Sequence, residues 1–402
     1  MKLLVYEVKK ILNGKLLILL CLFTVLFYNM FIGIWIHPED SADCRAQNDL
    51  ATVLRDEYGY ETHLPYEDYE VLEEVRQEQI RKLDEMVLKS SVLQEAGIAS
   101  YQQLKKMQND DTISDMLEEE LNRISFSDGI REVFLNQTIE GIYDDMKVCP
   151  VFGVEAGKEQ EVAEKFLLIG GMYDDYTKEA IERVASVIKE NRLSLMPTSI
   201  LDHLLFDFPR FGVLLVISCL LLILPYQIRE RLAGVNPLMA TTHTGRNLWK
   251  RRYSSAVIAC ASVCAIQSII FCMVLNRVEV LQYWNYAISG NDGNMFWFDM
   301  SFGTYLIVNF VLYTIIAVSI MTVFYLISRL SVNYIVGVAI SIPITVVIGV
   351  LLPLFTRAFL SVERSMVYDV VRPIGIVFVL FVVAMSIVFA LQKWDKRRDV
   401  HV

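Results

Sequence analysis

Few residues in this chain have the types and spacing that enzymatic chemistry needs. The five histidines are scattered, and no His-Glu-x-x-His, Gly-x-Ser-x-Gly or Cys-x-x-Cys motif occurs. The stretch Gly153–Gln160 has three residues between its glycines where a phosphate-binding loop needs four, and Lys158 is followed by Glu159 rather than Ser or Thr. The sequence therefore predicts no catalytic activity, no metal site and no cofactor on this chain.

The seven cysteines divide into two groups. Five fall within long apolar runs, where a thiol usually packs as a small apolar side chain. The other two, Cys44 and Cys149, lie in polar sequence and are the only pair that an oxidising compartment could join. A disulfide and two free thiols are both compatible with the sequence, because spacing alone does not establish proximity.

Six apolar runs must position everything else in the chain. Each is long enough to cross a ~30 Å hydrocarbon core as a helix. None contains Asp, Glu, Lys or Arg, whereas a core helix of a soluble protein rarely stays free of charge over such a length. The first run is also too long for a signal peptide and lacks a small-x-small cleavage site. The sequence therefore predicts an all-α polytopic membrane protein with six transmembrane helices. The predicted spans are Leu16–Ile36, Phe211–Ile228, Tyr253–Leu275, Gly303–Ser328, Tyr334–Thr356 and Pro373–Gln392.

The distribution of basic residues sets the predicted orientation. With the N-terminus in the cytoplasm, fifteen Lys and Arg residues fall in inner segments and four in the two short outer loops. We therefore expect a multi-pass protein of the cell membrane with both termini cytoplasmic. The predicted domains are a connecting helix at 1–15, a first span at 16–36, an extracellular domain at 37–207, spans two to six within 208–392, and a tail at 393–402.

The predicted extracellular domain is acidic and mostly helical. From His37 to Arg210 the sequence holds 38 acidic and 18 basic residues. Such a surface attracts cationic partners, or it only keeps a solvated domain soluble and away from anionic lipid; both interpretations stay open. Apolar positions at helical spacing predict a long helix that stops at Gly97 and an amphipathic helix after Thr177.

The predicted spans carry no side chain that would couple ion movement to transport. A carrier driven by protons or sodium usually keeps an ionisable residue at depth in the membrane. Here the polar residues at that depth are amides and hydroxyls, such as Gln267 and Asn309. Main-chain carbonyls beside Pro343 and Pro353 are the alternative ligands for a cation. We expect that any transport by this chain takes its energy from another subunit.

An unusual polar stretch, Arg229–Arg252, separates the second and third predicted spans. It holds six basic residues and one acid, with helix-ending glycines at Gly234 and Gly245. Asn236 and Pro237 are suited to begin a short helix between them. Such an elbow would give a soluble partner a stiff contact at the ends of two membrane helices. The alternative is a plain basic loop that fixes topology.

This segment resembles the first cytoplasmic loop of ABC-2 type permeases, the membrane subunits of ATP-binding-cassette exporters. The six spans with a large insert after the first are similar to that family over the whole chain. The N-terminal MKLLVYEVKKILNGK can form an amphipathic helix that resembles the family's connecting helix. The positions that match the family's loop pattern are Glu230, Gly234, Leu238, Thr241 or Thr242, Gly245, Arg246 and Lys250. The resulting ATPase-coupling prediction comprises Arg229, Glu230, Arg231, Gly234, Leu238, Thr241, Thr242, Gly245 and Arg246.

The resemblance implies a transport subunit rather than an enzyme. It implies a translocation path shared with a second permease chain, identical or related, and a cytosolic ATPase that holds the ATP and Mg²⁺. The implied partners are these two proteins and membrane lipids, with no nucleic acid. Charge-free spans suit a lipid-like, hydrophobic or amphipathic peptide cargo. The alternative class is a non-transporting membrane sensor or scaffold whose extracellular domain binds a ligand.

Overall fold

The computed structural model describes residues 2–32, 42–107, 114–148, 153–170, 176–233, 248–277, 279–290, 295–357, 360–362 and 371–398. It is about 81% helical, which confirms the prediction of a mostly helical chain. The chain divides into two compact units. We call Met1–His37, Asp202–Gln282 and Gly303–Val402 the span unit, and Pro38–Leu201 with Tyr283–Phe302 the insert unit.

The described structure contains fifteen α-helices, which are numbered here in chain order. In order they are α1 (Lys2–Ile11), α2 (Gly14–Phe27), α3 (Ala42–Asp56), α4 (Glu70–Lys89), α5 (Ser91–Glu95), α6 (Tyr101–Met107), α7 (Asp115–Arg123), α8 (Ile130–Val148), α9 (Glu159–Gly170), α10 (Lys178–Lys189), α11 (Thr198–Leu232), α12 (Leu248–Arg277), α13 (Phe302–Leu330), α14 (Tyr334–Thr356) and α15 (Val371–Arg398). A π-helical turn, Tyr28–Ile32, extends α2. Strands β1 (His63–Pro65) and β2 (Arg192–Ser194) pair antiparallel, with Leu64 opposite Leu193.

Five of the described helices are long and apolar enough to cross a membrane. They are Gly14–Ile32, Thr198–Leu232, Lys250–Arg277, Phe302–Leu330 and Tyr334–Leu354. The sixth predicted span lies within α15, whose described apolar stretch, Val377–Ala390, is shorter than a span. The multi-pass character of the protein is therefore confirmed, and the number six stays a prediction. The helix α11 begins at Thr198, well before the predicted span start at Phe211, so it carries charged residues beyond its apolar part.

An aromatic cluster fills the interior of the span unit. Phe208 on α11 stacks on Phe271 of α12 and on Tyr313 of α13, with ring centroids 5.5 and 6.1 Å apart. The Phe310 ring packs edge-on against the Phe208 ring, with the two ring centroids 5.5 Å apart. Gly212 allows the close approach of Tyr313, because a Cβ there would come within 2.4 Å of that ring. These contacts hold α11, α12 and α13 together through apolar surface.

A layer of polar and small side chains joins α2, α11 and α12. The Gln267 amide on α12 donates to the Thr24 hydroxyl on α2 at 3.2 Å and to the Ser218 hydroxyl on α11 at 2.8 Å. The Cys219 and Cys264 sulfurs lie 4.0 Å apart, and both side chains are buried. Hydrogen bonds of this kind between membrane helices contribute modestly, about 0.6 kcal/mol on average, and fix which faces meet.

The insert unit is built from short helices around α4 and α8. The helix α8 packs against α3 and α4, and α9 packs against α10. The long helix that the sequence predicts up to Gly97 is divided in the structure: α4 ends at Lys89, α5 follows after Ser90, and Gly97, with a φ of 75°, lies beyond α5. The Thr177 hydroxyl accepts from the Ala180 amide and caps α10, whose Ala180 and Val184 are fully buried. The predicted amphipathic helix after Thr177 is therefore confirmed, whereas the single long helix up to Gly97 is wrong, because Ser90 ends α4 and its hydroxyl caps α5.

A second chain segment completes the insert unit. Tyr283–Phe302, which connects α12 to α13, belongs to this unit and not to the span unit. The Ser194 hydroxyl donates to the Ala287 carbonyl at 2.6 Å, and Arg183 donates to the Phe296 carbonyl at 2.8 Å and pairs with Asp299 at 2.6 Å. The insert unit therefore includes most of the segment between α12 and α13, which the sequence did not indicate.

Candidate functional site

The N-terminal helix α1 is amphipathic, and its inner face packs on α12. Ile11 is 1% exposed, and Lys9 on the opposite face is exposed. The Ser255 hydroxyl of α12 donates to the Leu4 carbonyl at 3.4 Å and to its own helix at Arg251 at 2.8 Å. The amphipathic helix that the sequence predicts is therefore present, and its apolar face is covered by another helix of the span unit.

Glu230 at the end of α11 is the centre of the candidate site. Its side chain is 3% exposed, although it belongs to the most basic stretch of the chain. The Lys10 ammonium of α1 donates to one carboxylate oxygen, and the Arg252 guanidinium of α12 lies 2.5 Å from the other. One buried carboxylate thus joins α1, α11 and α12.

A second polar contact lies one turn away from Glu230. The Tyr226 hydroxyl on α11 donates to the Glu7 carboxylate on α1, and the side chains of both are buried. Positions three and four apart on a helix lie on one face, so Glu7 and Lys10 meet Tyr226 and Glu230 as two matched pairs. Removing one partner of a buried ion pair typically costs about 3–5 kcal/mol, because the other charge is left uncompensated.

The same end of α11 is also hydrogen-bonded to α13. The Arg231 guanidinium donates to the carbonyls of Leu330 and Ser331, at 3.1 and 2.8 Å. These carbonyls end α13, where a cation is favoured by the helix dipole. One helix turn earlier, the Ser328 hydroxyl donates to the Leu224 carbonyl at 2.7 Å. The end of α11 is therefore connected to three other helices.

The predicted coupling residues fall into two groups in the structure. Arg229, Glu230 and Arg231 form the last turn of α11. Gly234, Leu238, Thr241, Thr242, Gly245 and Arg246 lie outside the described residues. Of these three residues, Glu230 has a buried side chain and Arg231 is hydrogen-bonded to α13. Arg229 is exposed, and its guanidinium makes no hydrogen bond or ion pair with the described residues.

Sequence reasoning did not single out Glu7, Lys10, Tyr226 and Arg252. Lys10 and Glu230 are 220 residues apart in the sequence, so no local pattern connects them. One signal was present: Glu7 is the only acid in residues 1–15, and Glu230 is the only acid from Arg229 to Arg252. A lone carboxylate in each of two basic stretches is a reason to look for a buried partner.

Several carboxylates of the insert unit pair with basic residues between and along its helices. Glu140 on α8 accepts from Lys105 of α6 at 3.2 Å and pairs with Arg76 of α4 at 3.4 Å. A hydrogen bond from Gln77, and then the neighbouring Arg76, hold the pKa of Glu73 below its ordinary value. Part of the acidic surface therefore supports the fold of the insert unit itself.

Metal binding and the predicted disulfide depend on where the His, Cys, Asp and Glu side chains lie. In the residues that the structure describes, no group of three or more His, Cys, Asp or Glu side chains could hold a metal ion. Cys149 and the side chain of Cys44 lie outside the described residues. The disulfide between them therefore stays a prediction.

The fold and the composition together define a class. Several long apolar helices with a mostly helical insert make this a multi-pass helical membrane protein. Comparison with protein-family models, with curated proteins and with solved structures finds no match. The function must therefore be argued from the site.

Proposed function

We propose that this chain is the permease subunit of an ATP-driven exporter of the ABC-2 type. The observation that carries the proposal is the buried carboxylate of Glu230, held between Lys10 of α1 and Arg252 of α12. It joins the amphipathic N-terminal helix to both helices that flank the polar elbow. An exporter's membrane subunit needs such a joint where its partner binds.

The joint suits the transmission of force from a soluble partner. Residues 234–247 connect α11 to α12, so a protein bound there would act on the ends of both helices. Because Glu230 and Arg252 tie those two ends together and Lys10 adds α1, the three helices would move as one body. In the proposed mechanism, ATP-driven closure of two cytosolic ATPases rocks these helices and opens a path to the outside.

The proposal assigns the remaining parts as follows. ATP and Mg²⁺ are held by the ATPase, and a second permease chain completes the path. Only 17% of the most apolar window of α14 is buried in this chain, so lipid or another chain must cover the rest. The insert unit lies outside the cell, both termini are cytoplasmic, and the cargo is lipid-like, hydrophobic or an amphipathic peptide.

A sensor or scaffold is the second candidate, and one observation favours it. The insert unit contains Tyr283–Phe302, which is continuous with α12 and α13. A ligand that reorders this segment would act directly on two membrane helices through the backbone. In that case the elbow would bind a signalling protein instead of an ATPase.

Co-purification from native membranes separates the two candidates. The tagged full chain is extracted in mild detergent, and its partners are identified by mass spectrometry. We expect a partner with a Walker-type ATP site, together with ATP hydrolysis that the isolated chain lacks. If a signalling kinase is recovered and no ATP-binding subunit is found, the exporter proposal is overturned. A tagged unrelated multi-pass protein from the same membranes is the control for non-specific capture.

A further inference from the structure

A cleft opens beside the candidate site at the end of α11. It is a small recess, open to the outside, between the end of α1, the start of α2 and α11. Its floor is apolar and its edge is basic and aromatic. The lining residues are Lys10, Ile11, Leu16, Leu222, Tyr226 and Arg229.

The charge at this cleft is not balanced. Lys10 and Arg252 share the two oxygens of Glu230, and Glu7 accepts from Tyr226. Arg229 is exposed, and among the described residues its guanidinium makes no ion pair or hydrogen bond. The Lys10 ammonium has three N–H donors, of which one is used by Glu230. The edge of the cleft therefore offers the remaining donors of Lys10 and the uncompensated positive charge of Arg229.

An apolar surface begins directly at the cleft. Leu16 lines the cleft and lies in the first turn of α2. Along the same helix, Ile18, Leu22 and Val25 are 64%, 65% and 61% exposed. Since α2 is one of the helices that can cross a membrane, these side chains face a medium in which acyl chains lie.

We propose that this cleft binds the phosphate of an anionic glycerophospholipid, with the acyl chains along the exposed side of α2. Arg229 and Lys10 donate to the phosphate, and Ile11 and Leu222 exclude water beneath it. The site goes beyond the proposed transport function, because it needs neither an ATPase nor a cargo. A free phosphate would use only the basic edge, whereas a lipid uses the basic edge and the apolar face together.

Lipid titration of the purified full chain tests the proposal in the absence of any ATPase. Phosphatidylglycerol, phosphatidylcholine and inorganic phosphate are each added to the chain in non-ionic detergent. Native mass spectrometry counts retained lipid, and thermal unfolding reports stabilisation. We expect retention of phosphatidylglycerol and a raised unfolding midpoint, with little effect of phosphatidylcholine or inorganic phosphate.

Three variants locate the site. Arg229→Gln should weaken retention of phosphatidylglycerol at least about fivefold, because it removes a direct donor to the phosphate in addition to one surface charge. Arg229→Lys keeps the charge and should retain most of the binding. Lys9→Gln is the matched control, since Lys9 is an exposed cation on α1 that does not line the cleft.

The outcomes that overturn the proposal are distinct. Equal weakening by Arg229→Gln and Lys9→Gln would show diffuse attraction to anionic lipid instead of a site. Stabilisation by inorganic phosphate as strong as that by phosphatidylglycerol would show an ion site without lipid. Equal retention of phosphatidylcholine would show that charge is not recognised. If Arg229→Gln does not fold, the three ligands on the unchanged chain still decide between these results.

Discussion

The Glu230 carboxylate at the end of α11 lies 2.5 Å from the Arg252 guanidinium at the start of α12, and their side chains are 3% and 12% exposed. Nothing in the local sequence of either helix requires this contact, since the two residues flank the polar elbow from opposite ends. The pair closes that elbow at its base, and Lys10 adds the N-terminal helix to the same carboxylate.

A double-mutant cycle on this pair should show strong coupling. Glu230→Gln leaves two cations facing a neutral amide, and Arg252→Met leaves the carboxylate with Lys10 alone, so each should lower the free energy of unfolding by about 3–5 kcal/mol. The loss of unfolding free energy in the double variant should be smaller than the sum of the two single losses, by a coupling energy of about 1–3 kcal/mol. Denaturant unfolding of the chain in detergent measures this. Additive losses would show that the two groups do not interact.

Tyr226→Phe tests the contact between α1 and α11 without changing any charge. The substitution removes the hydroxyl that donates to Glu7 and leaves that buried carboxylate with one fewer partner. We expect a loss of about 1–3 kcal/mol and faster amide exchange over residues 2–12. Tyr6→Phe is the matched control, because Tyr6 lies on α1 beside Glu7 and its side chain is 65% exposed. Equal exchange in both variants would contradict the contact.

Local features of the fold could be predicted because the signals that determine them are close in sequence. The start of α10 after Thr177 and its buried positions Ala180 and Val184 each depend on a few neighbouring residues. The apolar runs likewise predicted the membrane helices, since length and the absence of charge suffice for that.

The site and the composition of the insert unit depend on distant residues. Glu230 was assigned to ATPase coupling because it matches the loop pattern of ABC-2 type permeases, and no local pattern predicted that its carboxylate is buried between Lys10 and Arg252. Tyr283–Phe302 falls in an outer loop of the predicted topology, and its attachment to α10 through Arg183 spans more than a hundred residues of sequence. Periodicity carries no information on such pairings.

Arg246→Ala tests the coupling elbow without disturbing the buried joint. Glu230→Ala would act on the joint itself, so any uncoupling it causes is mixed with instability. If Arg246 contacts the ATPase, its truncation should weaken ATPase binding by about 1–2 kcal/mol, or roughly five- to thirtyfold, and leave the unfolding midpoint of the chain unchanged. Lys9→Ala removes a cation outside the elbow and should have no effect. Unchanged, coupled ATP hydrolysis in Arg246→Ala would leave the elbow only a topological role.

The disulfide between Cys44 and Cys149 is tested by peptide mapping. A bond that closes a loop of about a hundred residues should stabilise the insert unit by roughly 2–4 kcal/mol, mainly by restricting the unfolded chain. Non-reducing digestion of protein from its native membrane should yield one cross-linked peptide, and reduction should lower the unfolding midpoint. If Cys44 and Cys149 can both be alkylated in that protein without reduction, the bond is excluded. Cys21→Ser is the control for thiol loss elsewhere.

Asp207 is the described acid that a proton-driven mechanism would require. It lies on α11 before the predicted span, is 1% exposed, and pairs with Arg210 at 3.2 Å through one oxygen. Its other oxygen has no hydrogen-bond partner among the described residues. Glu7 and Glu230 each contact a side chain of another helix, whereas Asp207 pairs with Arg210 of its own helix. If this protein were a secondary carrier, Asp207 would be its titratable group.

We expect that the isolated chain neither transports nor hydrolyses ATP. The predicted spans contain no Asp, Glu, Lys or Arg, whereas a proton-coupled carrier normally accepts the roughly 2.5–3.5 kcal/mol that a mid-membrane charge costs. Liposomes with the chain alone, under an imposed proton or sodium gradient, should accumulate no lipid-like or peptide probe. Both activities should appear once the ATPase partner and ATP are added. Gradient-driven uptake that Asp207→Asn abolishes would make this protein a secondary carrier and end the exporter proposal.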